Sequence, residues 1–160
     1  MLFKIVNEGE NQFYVVDKAL RDPTIDKWSN PPGMELGLNM TGSGRSGSIL
    51  LKNDTVPEFF SVTAGIHNSL DPWCDILPNL PAGASADGIN RSYYQSRLEQ
   101  KRTVCKRTSQ GTSISLAISE LRYGTFIAKV TIRRETSAAA GPIGQQVCFT
   151  RFIPILIDFM

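Results

Sequence analysis

The stretch Gly65-Ile-His-Asn-Ser-Leu-Asp-Pro-Trp-Cys-Asp-Ile76 holds the only histidine of the chain, one of two tryptophans and one of three cysteines. A metal site needs three or four ligands at compatible spacing, and His67 with a single cysteine, Cys74, does not supply them. A Cys–His nucleophile stays open, because its two side chains need only be neighbours in space. Between Trp73 and Asp75, however, Cys74 is better interpreted as a small buried residue.

Segments typical of β-strands lie on both sides of this stretch. Residues 36–40, 47–52 and 59–65 are rich in β-branched, aromatic and aliphatic side chains, which predicts three strands in series. Residues 113–119 and 126–132 alternate polar and apolar side chains, so each predicts a strand with one buried face.

The remaining segments predict turns and a small helical part. Residues 3–20 alternate loosely around a polar break, which predicts a hairpin of two short strands, and the Pro-rich segment 28–33 predicts a loop. Residues 92–102 lack Gly and Pro and predict a helix, and 73–80 predict a single helical turn. The sequence therefore predicts a mainly β protein, a mostly antiparallel β-sandwich with a small helical insert.

Composition narrows the class of protein. The chain of 160 residues has a net charge of +2 and 41% apolar residues, which fits one globular domain. Its Lys and Arg residues are scattered except at 101–107, so there is no basic face for nucleic acid. No apolar run is long enough for a transmembrane helix.

The terminal segment and the cysteines predict a cytoplasmic protein. Residues 1–10 contain Lys4 and two acids where a secretory signal needs an apolar stretch. Cys74, Cys105 and Cys148 are odd in number and widely spaced, which predicts free thiols in a reducing compartment.

The C-terminal part differs from the rest of the chain. Residues 133–142 are typical of a linker, and residues 147–159 are abruptly hydrophobic but interrupted by Arg151 and Pro154. We therefore predict a domain over 1–132 and an extension of unassigned role over 133–160. An extra strand, an association surface and a poorly ordered tail are all compatible with this sequence.

The segment Gly42-Ser-Gly-Arg-Ser-Gly47 formally matches a GxGxxG nucleotide motif. That motif requires a helix that begins on the glycines and an acid about 20 residues further on. Here residues 48–52 are β-like and Asp54 comes too early, so a glycine loop without a nucleotide cofactor is the better interpretation. Such a loop exposes backbone N–H groups, which suits a polyhydroxylated ligand.

In order and spacing, several segments resemble the fungal fruit-body lectin family. The resemblance runs from about Trp28 to Ile132. It implies an actinoporin-like fold of two antiparallel sheets joined by a helix-loop-helix, and a non-enzymatic, typically tetrameric, cytosolic protein that binds glycans without a cofactor. The segments that carry it are Met40-Thr-Gly-Ser-Gly-Arg-Ser-Gly-Ser48, Gly65-Ile-His-Asn68, Trp73-Cys-Asp-Ile76, Asn79-Leu80, and Ile89-Asn90 followed by Tyr93-Tyr94.

The resemblance implies a first carbohydrate site for galactose-β-1,3-N-acetylgalactosamine, the T-antigen disaccharide. Hydroxyl, amide and imidazole groups offer the mixed donors and acceptors that sugar hydroxyls need. Arg45 stands where the family has a small polar residue, and it either adds a contact or crowds the pocket. By this resemblance the site comprises Ser29, Ser43, Gly44, His67 and Asn68.

The resemblance also implies a second site, for N-acetylglucosamine, in which the match is weaker. Pro78 replaces a threonine and so removes a hydroxyl, Thr108 replaces a tyrosine, and Arg97 comes at a shorter spacing, with Lys101 and Arg102 as alternatives. These departures imply a degraded site. Its residues would be Asp75, Ile76, Pro78, Arg97 and Thr108.

Two other functions compete with a lectin. The fold is shared with pore-forming toxins, but these need an amphipathic N-terminal helix, and residues 1–20 have a strand pattern instead. The second alternative is an enzyme that uses Cys74 and His67. The aromatic residues Trp73, Tyr93 and Tyr94 also allow two interpretations, stacking on a sugar ring or packing in the core. Their pattern is more typical of a core.

Overall fold

The protein is described by a computed structural model over residues 1–9, 11–30, 36–40, 42, 44–67, 71–96, 101–122 and 124–134. Within these ranges the chain forms ten strands and one helix. In chain order they are β1 (Leu2–Glu8), β2 (Phe13–Leu20), β3 (Lys27–Ser29), β4 (Leu36–Asn39), β5 (Arg45–Asn53), β6 (Phe59–Ile66), β7 (Pro72–Leu77), α1 (Ala86–Ser96), β8 (Thr103–Arg107), β9 (Thr112–Arg122) and β10 (Thr125–Arg134).

The strands form two sheets packed as a sandwich. One sheet has six strands in the order β3-β4-β1-β10-β9-β8, and the other has four in the order β2-β5-β6-β7. Neighbouring strands are antiparallel except for β1 and β10, which are parallel. The predicted mainly β sandwich is therefore confirmed, with one parallel pair that the sequence did not indicate.

The core lies between the two sheets and follows the predicted alternation. In β9, Ile114, Leu116 and Ile118 are buried while the residues between them are partly exposed. Facing side chains such as Ile49 and Phe60 come from the four-stranded sheet. Each fully buried side chain of this size contributes about 1.5–3 kcal/mol relative to an exposed one, which is why the alternating pattern fixes the register.

The helix lies earlier in the chain than predicted. It begins at Ala86, after Ser85, whose hydroxyl accepts a hydrogen bond from the N–H of Gly88 at 3.2 Å. The N–H of Ala86 is satisfied from another element, by the Asp17 carboxylate at 2.8 Å. The predicted helix over 92–102 is confirmed at residues 92–96 and wrong at 101–102, while residues 97–100 lie outside the described ranges.

Two local predictions are wrong for tertiary reasons. The first two strands exist, but they do not form a hairpin, because β1 joins the six-stranded sheet and β2 joins the four-stranded one. The Asn7 side chain still closes their connection, accepting from the N–H of Phe13 at 3.0 Å and donating to its carbonyl at 3.2 Å. The predicted helical turn at 73–80 is instead strand β7.

The cysteines depart from the expected set of free thiols. Cys74 is free and buried, whereas Cys105 is disulfide-bonded, so the expectation is wrong at Cys105. Cys148 and the rest of residues 135–160 lie outside the described ranges, and the proposed boundary at Ile132 stays a prediction. Among the described residues, no helix is long and apolar enough to cross a membrane.

Candidate functional site

The connection between β4 and β5 carries the glycine loop from one sheet to the other. Gly42 and Gly44 have φ angles of +91° and +69°, a backbone region that residues with a Cβ rarely adopt. The N–H of Gly44 donates to the carbonyl of Ile66 at 2.7 Å. A strand follows the glycines instead of a helix, which confirms the loop interpretation over the nucleotide motif.

Gly44 and His67 are brought together by that backbone contact, because His67 directly follows Ile66. The half-buried His67 is itself held by its N–H, which donates to the carbonyl of Asp71 at 2.8 Å. Two further residues of the predicted first site, Ser43 and Asn68, lie outside the described ranges.

Ser29 ends strand β3 and belongs to the six-stranded sheet. Its hydroxyl donates to the carbonyl of Gly37 at 3.3 Å. The preceding residue, Trp28, packs over Gly47 of β5, where an added Cβ would lie 2.9 Å from the indole ring. This packing holds β3 against the strand that leads away from Gly44.

Arg45, for which the sequence left two roles open, forms an ion pair in the structure. Its guanidinium forms an ion pair with Asp22 at 2.7 Å, with side chains that are 21% and 31% exposed. Hydrogen bonds from the Thr24 hydroxyl and from Arg45 hold the pKa of Asp22 below its ordinary value. Beside this pair, the guanidinium of Arg21 donates to the carbonyl of Gly44.

Aromatic rings support His67 from the protein interior. The His67 ring centroid lies 6.0 Å from that of Trp73, which lies 5.5 Å from that of Tyr93. Trp73 and Tyr93 are only 3% and 2% exposed, so both belong to the core, as their sequence context favoured. They position the imidazole and do not offer a stacking face to a sugar.

Asp75 of the predicted second site is buried, and its carboxylate contacts three donor groups. It is 4% exposed, and its carboxylate accepts from the Tyr93 hydroxyl at 3.1 Å and the Ile76 N–H at 2.7 Å. The Lys106 ammonium completes the set at 2.9 Å. Burial, followed by the neighbouring Asp75 charge, raises the pKa of Tyr93 well above its ordinary value, which keeps the hydroxyl a donor.

Pro78 and Thr108 meet at the opposite end of the sandwich from Gly44. Asn79 has a φ of +59°, and its side-chain oxygen accepts from the N–H of Ser109 at 2.6 Å, which joins the two segments. Thr108 is buried, and its hydroxyl donates to the Glu58 carboxylate instead of facing the surface.

The remaining second-site residues are less accessible or undescribed. Ile76 is part of the core, and Arg97 lies outside the described ranges. Of the alternative cations, Arg102 pairs with Asp71 at 3.3 Å, and the carbonyl of Lys101 accepts from the N–H of Cys74 at 2.7 Å. Of the predicted second site, the structure therefore places Asp75 and Ile76 on β7 and Thr108 after β8, with the Asp75 carboxylate and the Thr108 hydroxyl bound to other protein groups.

Cys74 points into the core, on the face of β7 opposite to Trp73 and hence away from His67. Burial, followed by the neighbouring Asp75 charge, raises the pKa of Cys74 to about 12. The thiolate needed for nucleophilic catalysis is therefore scarce at neutral pH. Within the described ranges, no three His, Cys, Asp or Glu side chains cluster as metal ligands would.

We expect Cys74 to resist alkylation in the folded protein because its thiol is both inaccessible and protonated. Peptide mapping after iodoacetamide treatment at pH 8 without reductant should show no carbamidomethylated Cys74. The same treatment in guanidinium chloride should label it. Rapid labelling of Cys74 in the native protein would instead support the alternative function, an enzyme that uses Cys74 and His67.

Sequence reasoning missed three residues that shape these regions. Arg21 and Asp22 reach the glycine loop, and Glu58 holds Thr108. Asn79, which the resemblance named, ties two turns together. Asp22-Pro23 and Pro78-Asn79 are turn signals that mark these segments. The contacts that join them to the glycine loop and to the β8–β9 turn span at least 23 residues of sequence, so no local pattern identifies them.

The fold and the loop-borne polar site define a β-sandwich protein of the lectin class. The family model "Fungal fruit body lectin" matches residues 1–134, so the chain belongs to that family. Boletus edulis lectin is 33% identical over 91 residues, which cover 56% of this chain and 62% of that lectin.

Solved structures support the same fold. The wild-type lectin of Xerocomus chrysenteron superimposes with a TM-score of 0.72 at 23% identity, covering 82% of this chain and 96% of that one. A variant of the same lectin with three substitutions to methionine gives a TM-score of 0.73 at 24% identity, covering 82% and 94%. At this level of identity the likeness concerns the fold alone.

Proposed function

We propose that this protein is a non-enzymatic lectin that binds galactose-β-1,3-N-acetylgalactosamine at the end of the sandwich occupied by the glycine loop. The observation that carries the proposal is the 2.7 Å contact between Gly44 and Ile66, which sets His67 beside that loop. The binding residues are Ser29, Ser43, Gly44, His67 and Asn68.

The chemistry of this end suits an uncharged disaccharide. An imidazole offers one donor and one acceptor, and the hydroxyl of Ser43 and the amide of Asn68, which adjoin Gly44 and His67 in sequence, offer both kinds of group to sugar hydroxyls. Gly44 has no side chain, so a sugar ring can approach its backbone closely. His67 is half-buried against Trp73, which limits the rotamer freedom that it would lose on binding.

We propose that the second site, the one implied for N-acetylglucosamine, is degraded as a sugar-binding site. A sugar that hydrogen-bonded to Asp75 would have to reach a carboxylate that is only 4% exposed and already accepts from Tyr93 and Lys106. The hydroxyl of Thr108 is likewise bound to Glu58. Pro78 adds neither a hydroxyl nor an N–H.

Assembly would strengthen weak binding at each site. We propose a homo-oligomer, by family resemblance a tetramer, that crosslinks glycans of glycoproteins or glycolipids in a defence or recognition role. Linked sites raise the overall avidity by orders of magnitude when their geometry permits simultaneous engagement. The structure offers no support for the pore-forming alternative, since β1 and β2 occupy the segment where an amphipathic helix is required.

A glycan array on the full chain tests the first site. We expect the wild type to prefer glycans that end in galactose-β-1,3-N-acetylgalactosamine, and His67→Ala and Asn68→Ala to weaken this binding at least about tenfold, since each removes hydrogen bonds to the ligand. The matched control is Gln12→Ala, which removes an exposed amide from the β1–β2 connection.

Three outcomes of the array would count against these proposals. Full binding by both His67→Ala and Asn68→Ala would refute the site assignment. The absence of glycan binding by the wild type would refute the proposed lectin function. A signal from N-acetylglucosamine-terminated glycans as strong as that from the disaccharide would contradict a degraded second site.

A further inference from the structure

The segment that follows β2 crosses to the glycine loop and is joined to it at successive residues. The guanidinium of Arg21 donates to the Gly44 carbonyl, and the N–H of Arg21 donates to the Ser46 carbonyl at 3.0 Å. Asp22 pairs with the Arg45 guanidinium at 2.7 Å. The two segments are thus joined by both backbone and side-chain hydrogen bonds and by an ion pair.

These contacts immobilise a loop that would otherwise be free. Glycines lose more conformational freedom on ordering than any other residue, so a loop with Gly42 and Gly44 at positive φ is costly to fix. Both polar backbone groups of Gly44 are satisfied, its N–H by Ile66 and its carbonyl by Arg21. The cost of ordering Gly44 is therefore met before any ligand arrives.

Asp22 is itself held in place by its own turn. Its carboxylate accepts from the hydroxyl of Thr24 and from the Thr24 N–H at 3.2 Å, as well as from Arg45. The side chains of this pair remain partly exposed, so dissolved salt can screen it.

We propose that Arg21, Asp22 and Arg45 form a loop clamp that holds the glycine loop in the conformation that binds sugar. These are positioning residues: they act on the ligand through the Gly44 backbone and His67, and do not touch the sugar. The inference rests on the proposed function, because it assigns to this loop the binding of galactose-β-1,3-N-acetylgalactosamine. It also gives Arg45 a role that differs from both those left open by the sequence.

The first test needs no ligand. Hydrogen–deuterium exchange of the peptide spanning residues 42–46 is expected to be faster in Asp22→Asn and Arg45→Ser than in the wild type. The matched control is Asp87→Asn, which breaks the exposed Asp87–Arg91 pair, 2.9 Å in length, on α1. Unchanged exchange in both clamp variants would overturn the loop clamp, whether or not the protein binds sugar.

The second test measures disaccharide affinity in a double-mutant cycle. Asp22→Asn and Arg45→Ser are each expected to weaken binding about five- to twentyfold, and the double variant is expected to be no weaker than either, because both break one pair. If Arg45→Ser weakens binding and Asp22→Asn does not, Arg45 contacts the sugar directly and the clamp is refuted. Absence of binding by the wild type removes the proposed function instead, and the exchange experiment then decides the clamp alone.

The salt dependence of disaccharide affinity distinguishes the loop clamp from a purely structural role of these residues. The disaccharide is uncharged, so ionic strength acts on the protein side of the equilibrium only. Raising salt from about 0.05 M to 1 M shortens the screening length to about 3 Å and is expected to lower wild-type affinity severalfold. Asp22→Asn should show no such dependence, and equal salt dependence in both proteins would contradict the proposal.

Discussion

Replacing Gly65 by alanine is expected to lower the free energy of unfolding by about 3 kcal/mol, at the upper end of the usual cost of overpacking. Gly65 lies in β6 between β5 and β7. An added Cβ would lie 2.4 Å from the Arg45 carbonyl oxygen and 2.8 Å from the Trp73 indole. The first neighbour is backbone in a paired strand, so it cannot move aside as a flexible side chain would.

Thermal unfolding measures this effect. For a chain of this size the loss corresponds to a fall in Tm of about 6–12 °C. The control is Gly83→Ala, at a glycine whose added Cβ meets nothing within 4 Å, and we expect no destabilisation there. Equal melting temperatures for Gly65→Ala and the wild type would show that Trp73 and β5 do not pack as described.

The strands that the sequence predicts well are those with one solvent face. In β9 the alternation of Ile114, Leu116 and Ile118 with polar residues is a local signal, and the structure confirms it. β7 gives no such signal, because both of its faces are buried: Cys74 lies in the main core and Trp73 under α1. Its sequence therefore fitted a helical turn equally well.

Pairing between strands is a tertiary property and was less predictable. The residues of β1 and β2 are strand-like, but their partners, β10 and β5, are set by which sheet buries each strand. The helix was displaced for a local reason, since the capping residue Ser85 lies in a segment rich in Gly and Ala that lacks an apolar periodicity.

The site shows the same division between local motif and tertiary contact. The order of the motifs indicated Gly44 and His67, and the structure places them side by side through Ile66. The order of the motifs did not indicate that Asp75 would be covered by Tyr93 and Lys106, because these residues are far apart in sequence. A shared motif thus located the second region without revealing that its carboxylate is occupied.

Glu58 joins the two sheets at the end opposite to the glycine loop. It lies in the β5–β6 turn of the four-stranded sheet. Its buried carboxylate accepts from the hydroxyl of Thr108 in the β8–β9 turn and from that of Thr112 at the start of β9, both in the six-stranded half of the sandwich. The Thr112 contact measures 3.0 Å. This cluster also keeps the Thr108 hydroxyl away from the surface, so one set of contacts joins the sheets and occupies a residue of the predicted second site.

Replacing Thr112 by valine is expected to lower the free energy of unfolding by about 2–3 kcal/mol, because it leaves a buried carboxylate short of a donor. Chemical denaturation checks this value against Thr103→Val, a control on the exposed part of β8 where we expect less than about 0.5 kcal/mol. The double variant Glu58→Leu, Thr112→Val should be more stable than Thr112→Val alone, since it removes the carboxylate that lacks a donor and keeps the Thr108 hydroxyl, which accepts from the Thr112 N–H at 3.1 Å. A double variant less stable than the single one would mean that packing, and not the satisfaction of the carboxylate, dominates at this junction.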